Sequence, residues 1–384
     1  MQATAPGSAP AKADKGLPNI DSRKLTVELT QTPRTMPPLK DLVFGRLFSD
    51  HMLQIEWTAG KGWAAPKVMP YQKLKLEPSA VVFHYAIECF EGLKAYKDAD
   101  GTIRLFRPEM NMKRLHKSAQ RISLPAFDRE ELLECIKKLV RTDERWIPDK
   151  KGYSLYIRPT LIGTQESLGV GPSNRALLFV IMSPVGPYYA SGFSATSIRA
   201  TYEYTRAAPG GTGDAKLGVN YAPGIKPQVE AAKEGYQQNL WLYGKDHQVT
   251  EVGTSNFFAF WINEDGEREL VTPDLDGTIL HGVTRDSVLN LARSWNEFKV
   301  TERYLTMAEL VKAAGEGRLL ECFATGTAAI VSPIKTIGYK GEDIPVPLDP
   351  ADPSSQAGPL ARRFFDEIMA IQYGEKEHEW SVVV

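Results

Sequence analysis

The stretch Gly210-Gly-Thr-Gly-Asp-Ala-Lys-Leu-Gly-Val-Asn-Tyr-Ala-Pro-Gly224 sets one cation, Lys216, in the middle of a glycine-rich run. Glycine turns through positive φ and lets a flat or bulky group come close to the backbone. Lysine serves either as a phosphate-binding point charge or, once its pKa is lowered, as an amine nucleophile. The run is not a P-loop, because Leu217 stands where a magnesium-holding Ser or Thr would be needed. That leaves the nucleophile, with an aldehyde as its natural electrophile. Most lysines are solvated surface charges and glycines alone make only a loop, so the weight rests on three segments downstream. Glu251-Val-Gly-Thr254 is expected to follow a strand. Leu280-His-Gly-Val-Thr-Arg285 is expected to open a helix. Ala324-Thr-Gly-Thr-Ala-Ala329 lies between two apolar runs that read as strands.

Together these segments resemble the branched-chain amino acid aminotransferases, pyridoxal-phosphate enzymes of fold type IV in the class IV aminotransferase family. The resemblance runs from about residue 25 to the C-terminus, with motifs in the family's order and approximate spacing. It implies a mixed α/β and α+β chain: a smaller α/β domain, and a larger domain with a β-barrel-like sheet and flanking helices. It also implies a homodimer that moves the amino group reversibly between L-leucine, L-isoleucine or L-valine and 2-oxoglutarate. Other fold-IV enzymes, such as D-amino acid aminotransferases and aminodeoxychorismate lyases, would share the cofactor residues and differ in the pocket. The pair Tyr156 and Arg158 and the full-length match argue against them. A non-catalytic phosphate- or nucleotide-binding module would give Glu251 and Tyr221 no role.

Length and composition fit a soluble globular protein of two domains. The chain has 384 residues, 42% hydrophobic and 24% charged, with a formal net charge of −1. No basic block points to nucleic acid, and no apolar run is long enough to cross a membrane. The three cysteines, Cys89, Cys135 and Cys322, are widely spaced, and the six histidines form no metal-ligand cluster. A reducing compartment follows. Residues 1–24 read as a disordered tail without an apolar core, and arginine is absent before Arg23. The expected location is cytoplasmic, with the mitochondrion as the alternative because the family occurs in both.

The expected organisation is a small domain over 25–185, a linker over 186–198 and a large cofactor-binding domain over 199–384. Alternation predicts a strand at Leu53–Trp57, with others at Ile103–Phe106, Tyr153–Ile162 and Ala176–Pro184. A helix is expected from Met110 to about Ile122. Asp128-x-x-Glu131 predicts the start of another, with Leu132, Leu133, Ile136, Leu139 and Val140 on its apolar face. Asn263-Glu-Asp-Gly266 predicts a hairpin between Asn256–Ile262 and Glu269–Thr272. Helices are expected over Val283–Trp295, from the Thr306-x-x-Glu309 cap to about Ala314, and over Leu360–Tyr373.

Pyridoxal phosphate asks for an amine, a partner for its ring nitrogen, a partner for its phenolic oxygen and a phosphate cup. By the resemblance, Lys216 is the catalytic amine and the point of attachment. Glu251 faces the ring nitrogen and Tyr221 donates to the phenolic oxygen. Arg114, the backbone N–H groups of Val283 and Thr284 and the Thr327 hydroxyl take the phosphate. Thr254 and the Thr327-Ala328 turn lie near the cofactor and the substrate α-carboxylate. The pocket must admit an aliphatic side chain and also the charged side chain of glutamate, whose desolvation is costly. The residues matching the family's wall are Phe44, Tyr85, Phe90, Tyr156, Arg158 and Tyr188, with Leu168 and Val170 matching positions contributed by a partner subunit. Two departures stand out. Ala329 and Ser332 replace the Cys-x-x-Cys of mammalian members, which removes thiol regulation there. His281 stands where proline is usual and is assigned no role.

Overall fold

The computed structural model describes residues 16–187 and 193–384. The chain divides into two compact units, one made of 1–186, 216–218 and 379–384, the other of 187–215 and 219–378. Three differences from the expected boundaries follow. The strand Ser381–Val383 pairs antiparallel with Ile103–Phe106, so the C-terminus belongs to the first unit. The strand Thr196–Thr201 begins inside the expected linker. Order begins before residue 25: Ile20 is buried, and Asp21 caps the short turn Ser22–Lys24, whose Ser22 N–H donates to Glu131 Oε2 at 2.6 Å.

The first unit is a ten-stranded, mostly antiparallel sheet. Its central strands Arg175–Val185, Ser154–Gly163 and Leu93–Lys97 are neighbours, and the short strand Glu88–Phe90 pairs beside them with Ser154–Gly163. Leu155, Ile157 and Leu161 alternate with Tyr156, Arg158 and Thr160, as the pleat requires. The helices Pro108–Arg121 and Arg129–Thr142 belong to this unit. Asp128 caps the second by accepting from Glu131 N at 3.0 Å. Its buried stripe is Leu132, Cys135, Ile136, Leu139 and Val140; Leu133 is only half-buried, because Cys135 takes the place expected of it.

The second unit holds a nine-stranded sheet that closes on itself. Its ring runs Gln248–Val252, Gln238–Tyr243, Thr196–Thr201, Ile330–Tyr339, Leu319–Gly326 and Ser255–Ile262, and the last strand pairs back with the first. Ile198, Leu240, Phe257, Ala259, Trp261 and Ile334 pack in its core. The hairpin at Asn263–Gly266 forms as its sequence directs: Asn263 Oδ1 accepts from Asp265 N and Glu267 N, and Gly266 takes φ +80°. The Thr306–Glu309 capping box is complete and starts the helix Met307–Gly315. The helix Val283–Trp295 keeps its expected limits.

The helix Pro359–Gln372 begins at Gly358, where a Cβ would lie 2.1 Å from Glu321 Cδ. The Glu321 carboxylate accepts from Leu360 N at 2.8 Å and from Ala361 N at 2.9 Å. Burial pushes it up to about 7, with Asp349 adding to the rise and the two N–H groups opposing it. The folded protein therefore holds this proton more tightly than the unfolded chain. The contribution is fully present below the ordinary glutamate value and is lost as pH rises through about 7, a swing on the order of 3 kcal/mol. Glu321→Gln loses one acceptor at every pH and about 1 kcal/mol with it, but it cannot ionise. Thermal melts should show the variant gaining on the wild type between pH 5 and pH 8. Parallel curves would disprove the assignment.

Candidate active site

In the first unit, Lys216 lies in a segment laid against the strand Glu88–Phe90. Cys89 and Leu217 form an antiparallel bridge, Phe90 N–H donates to Lys216 O at 3.1 Å, and Lys216 N–H donates to Ser118 Oγ at 2.8 Å. The ammonium lies 4.9 Å from the Phe90 ring centroid, and the Arg158 guanidinium lies 4.8 Å from the same ring. Arg158 Nη2 donates to Tyr156 Oη at 3.1 Å, and Phe44 meets Tyr156 edge-on at 4.9 Å. Five expected residues, Lys216, Phe90, Arg158, Tyr156 and Phe44, are thus linked in one cluster.

Arg114 belongs to the helix Pro108–Arg121. Its Nε and Nη2 grip the two oxygens of Glu91 at 2.7 and 2.8 Å, and Asn111 Nδ2 donates to Glu91 Oε2 at 2.8 Å. Burial pushes Glu91 up. The charge and fork of Arg114, with Lys216 and Asn111, more than reverse this and hold it below its ordinary value. Sequence reading missed Glu91, although it stands beside Phe90 in the motif around Tyr85 and Phe90. Tyr85 Oη donates to Leu168 O. Leu168 and Val170 are 70% and 80% exposed. Tyr188 lies outside the described residues.

In the second unit, the glycine-rich run is fixed by Asn220. Its Nδ2 donates to Thr212 O and Ala215 O, both at 2.8 Å, and its Oδ1 accepts from Thr212 Oγ1 at 2.7 Å. Gly213 is needed for packing: a Cβ there would come within 2.5 Å of Thr278 O. Tyr221 follows at the entry to the short turn Ala222–Gly224.

Glu251 lies within the strand Gln248–Val252, not after it, and is 2% exposed. Its Oε1 accepts from Leu280 N at 2.7 Å and its Oε2 lies 2.9 Å from Arg206 Nη2, while Arg206 Nη1 donates to Thr278 O at 2.8 Å. Arg206 was absent from the sequence reading, because only the fold brings it to Glu251 across 45 residues. Register places Glu251, Asn256 and Thr325 in a row across three strands. Thr325 Oγ1 ends that row, buried without a hydrogen-bond partner. Asn256 Nδ2 donates to Leu280 O at 2.9 Å, holding the chain just before the helix Val283–Trp295. The N-cap residue Gly282 supplies no side-chain cap to that helix, and Val283 and Thr284 lie in its buried first turn. Thr254 is exposed at the turn after Gly253; Thr327 and Ala328 are half-buried between strands. His281 Nε2 lies 3.8 Å from Asp286 Oδ1.

These features fit an anionic, nitrogen-bearing aromatic group. An uncapped helix start suits a phosphate, a buried carboxylate suits a ring N–H, and Thr325 Oγ1 is an orphaned polar atom on the carboxylate's own row.

Comparison with known proteins agrees. The family model for amino-transferase class IV matches residues 88–337. The cytosolic branched-chain-amino-acid aminotransferase of Saccharomyces cerevisiae is 57% identical over 370 residues, covering 95% of this chain and 98% of that protein. The mitochondrial enzyme of the same yeast is 53% identical over 370 residues, covering 95% and 93%. The solved branched-chain amino acid aminotransferase of Escherichia coli superposes with a TM-score of 0.65 at 25% identity, covering 86% of this chain and 98% of that one. The chain belongs to the class IV aminotransferases and, within them, to the branched-chain-amino-acid aminotransferases.

Proposed function

We propose that this branched-chain amino acid aminotransferase works with pyridoxal 5'-phosphate attached to Lys216 and passes the amino group of L-leucine, L-isoleucine or L-valine to 2-oxoglutarate by a reversible ping-pong route. The observation that carries the cofactor reading is Glu251: a buried carboxylate that lies 2.9 Å from Arg206 Nη2 and accepts from the Leu280 N–H at 2.7 Å. When bound, the cofactor supplies the electron sink for the pair left on the substrate Cα after proton removal. Glu251 keeps the ring nitrogen protonated. Tyr221 donates to the phenolic oxygen. The first-turn N–H groups of Val283 and Thr284, the Thr327 hydroxyl and Arg114 hold the phosphate. Lys216 would supply the amine that holds the cofactor aldehyde and would serve as the general base for the substrate Cα proton. The Thr254 and Thr327-Ala328 turns orient the substrate α-carboxylate.

The side-chain pocket takes its apolar wall from Phe44, Tyr85, Phe90 and Tyr188, and its polar tips from Tyr156 and Arg158. The marked exposure of Leu168 and Val170 supports their use against a second copy of the chain, in a homodimer. No described helix is long and apolar enough to cross a membrane. We place the enzyme in the cytoplasm, with the mitochondrion as the alternative; the two yeast relatives are named for one compartment each.

Borohydride reduction of the holoenzyme followed by peptide mapping tests the attachment. The cofactor should be found on the peptide holding Lys216. Recovery on any other lysine would overturn the reading.

A further inference from the structure

Val249 and Val252 both pack in the core of the closed sheet. An unbroken strand would send residues three apart to opposite faces. The register resolves the conflict. Val249 pairs with Leu242 and Val252 with Leu240, so Thr250 and Glu251 together stand opposite Trp241 alone. This is a β-bulge, which re-aims a side chain beside a site. Glu251 then pairs with Asn256, whose neighbour Phe257 is a core residue. Glu251 therefore leaves the core face and meets Arg206 and Leu280 N.

Trp241, opposite the bulge, is buried and tied on three sides. Its carbonyl accepts from Thr250 Oγ1 at 2.8 Å, which pins the bulge. Its Nε1–H donates to Gly253 O at 2.8 Å. Gly253 turns the chain at φ +55° into Thr254, and its own N–H donates to Asn239 O at 2.7 Å. The far edge of the indole lies against Gly224, where a Cβ would sit 3.4 Å from Cζ2 and 3.7 Å from Cη2. Gly224 N–H in turn donates to Tyr221 O at 3.1 Å. One rigid ring thus joins the strand that carries Glu251, the turn that carries Thr254 and the turn entered at Tyr221.

We propose that Trp241 is a positioning residue of the transamination site: its indole holds the Thr254 turn and the Tyr221 turn at a fixed separation, opposite the bulge that presents Glu251. The proposal deepens the functional reading and rests on the roles that reading gives Thr254 and Tyr221. An indole suits the task. It carries one donor on its five-membered ring, a flat apolar edge on the other ring, and few rotatable bonds to order.

Substitutions that separate the two ends test the assignment. Trp241→Phe loses the N–H and shortens the apolar edge. Its KM for L-leucine should rise about 5- to 10-fold, the scale of one lost hydrogen bond, with a smaller change in kcat. Its Kd for pyridoxal phosphate, read from visible absorbance on dilution of the holoenzyme, should rise on the same scale of about 5- to 10-fold. Trp241→His, assayed at about pH 8 where the ring is neutral, keeps an N–H on a five-membered ring and lacks the outer ring. It should restore KM while leaving the cofactor loosely held. If both variants changed only the thermal midpoint, with KM, kcat and cofactor Kd as in the wild type, Trp241 would be packing alone and the proposal would be overturned. Thr254→Val and Tyr221→Phe are the controls: the first should raise KM and the second should weaken cofactor binding. Controls that respond beside Trp241 variants that do not would defeat the proposal by itself. Controls that leave both quantities unchanged would defeat the reading of the two turns, and the proposal with it.

Discussion

Lys216→Ala should reduce L-leucine turnover by at least about 10³-fold, the scale on which removal of an acid–base group that also anchors the cofactor is felt. The fold should survive. The bonds that seat this segment are made by its main chain: Phe90 N–H to Lys216 O, Lys216 N–H to Ser118 Oγ, and the Cys89–Leu217 bridge. Truncation removes the ammonium near the Phe90 ring, worth about 0.5–1 kcal/mol at a partly exposed site. The thermal midpoint should therefore move by only a few degrees, while activity disappears. Lys216→Arg separates charge from chemistry. It keeps a cation near Phe90 and beside Glu91 but has no amine that can lose its proton at working pH. It should be as inactive as the alanine variant. If the arginine variant kept a tenth of wild-type turnover, Lys216 would be an electrostatic residue and the reacting amine would be elsewhere.

What the sequence made legible was local. The Asp128 cap, the Thr306–Glu309 box and the Asn263–Gly266 hairpin each complete their geometry within a few residues, so spacing alone announces them. The helix Val283–Trp295 is bounded by Gly282 before it and Asn296 in a left-handed conformation after it. What stayed hidden depends on long-range pairing. Nothing in Ser381–Val383 announces that it edges a sheet against Ile103–Phe106, and nothing near Thr196–Thr201 shows that it pairs with Ile330–Tyr339 to complete the ring. The same holds for the site. Lys216, Glu251 and Arg114 are nominated by motif, but their neighbours Arg206 and Glu91 are not, because a buried charge finds its partner through the fold.

Glu251→Gln should lower kcat by about 10²- to 10³-fold, the loss measured when a preorganised electrostatic partner of a developing charge is removed. The same substitution also strands Arg206, whose Nη2 faces Glu251 Oε2 at 2.9 Å in a buried pair. Breaking such a pair costs about 3–5 kcal/mol when one partner is deleted. Glutamine keeps the shape and one acceptor for Leu280 N–H, so the loss should fall at the low end of that range. A drop in activity could then arise from chemistry or from a loosened fold, and a second substitution separates the two. Arg206→Met in the Glu251→Gln background removes the stranded guanidinium and offers a side chain of similar length. Thermal stability should return most of the way, because a buried ion pair replaced by apolar groups is often close to neutral. Turnover should not return, since a neutral amide cannot hold a proton on the ring nitrogen. A double variant that regained both stability and activity would show that Glu251 serves only to pair Arg206. A single variant with full activity would show that the ring nitrogen finds its proton from another group. In the double-mutant cycle, strong coupling in stability together with near-zero coupling in kcat is the pattern that assigns the carboxylate to both tasks at once.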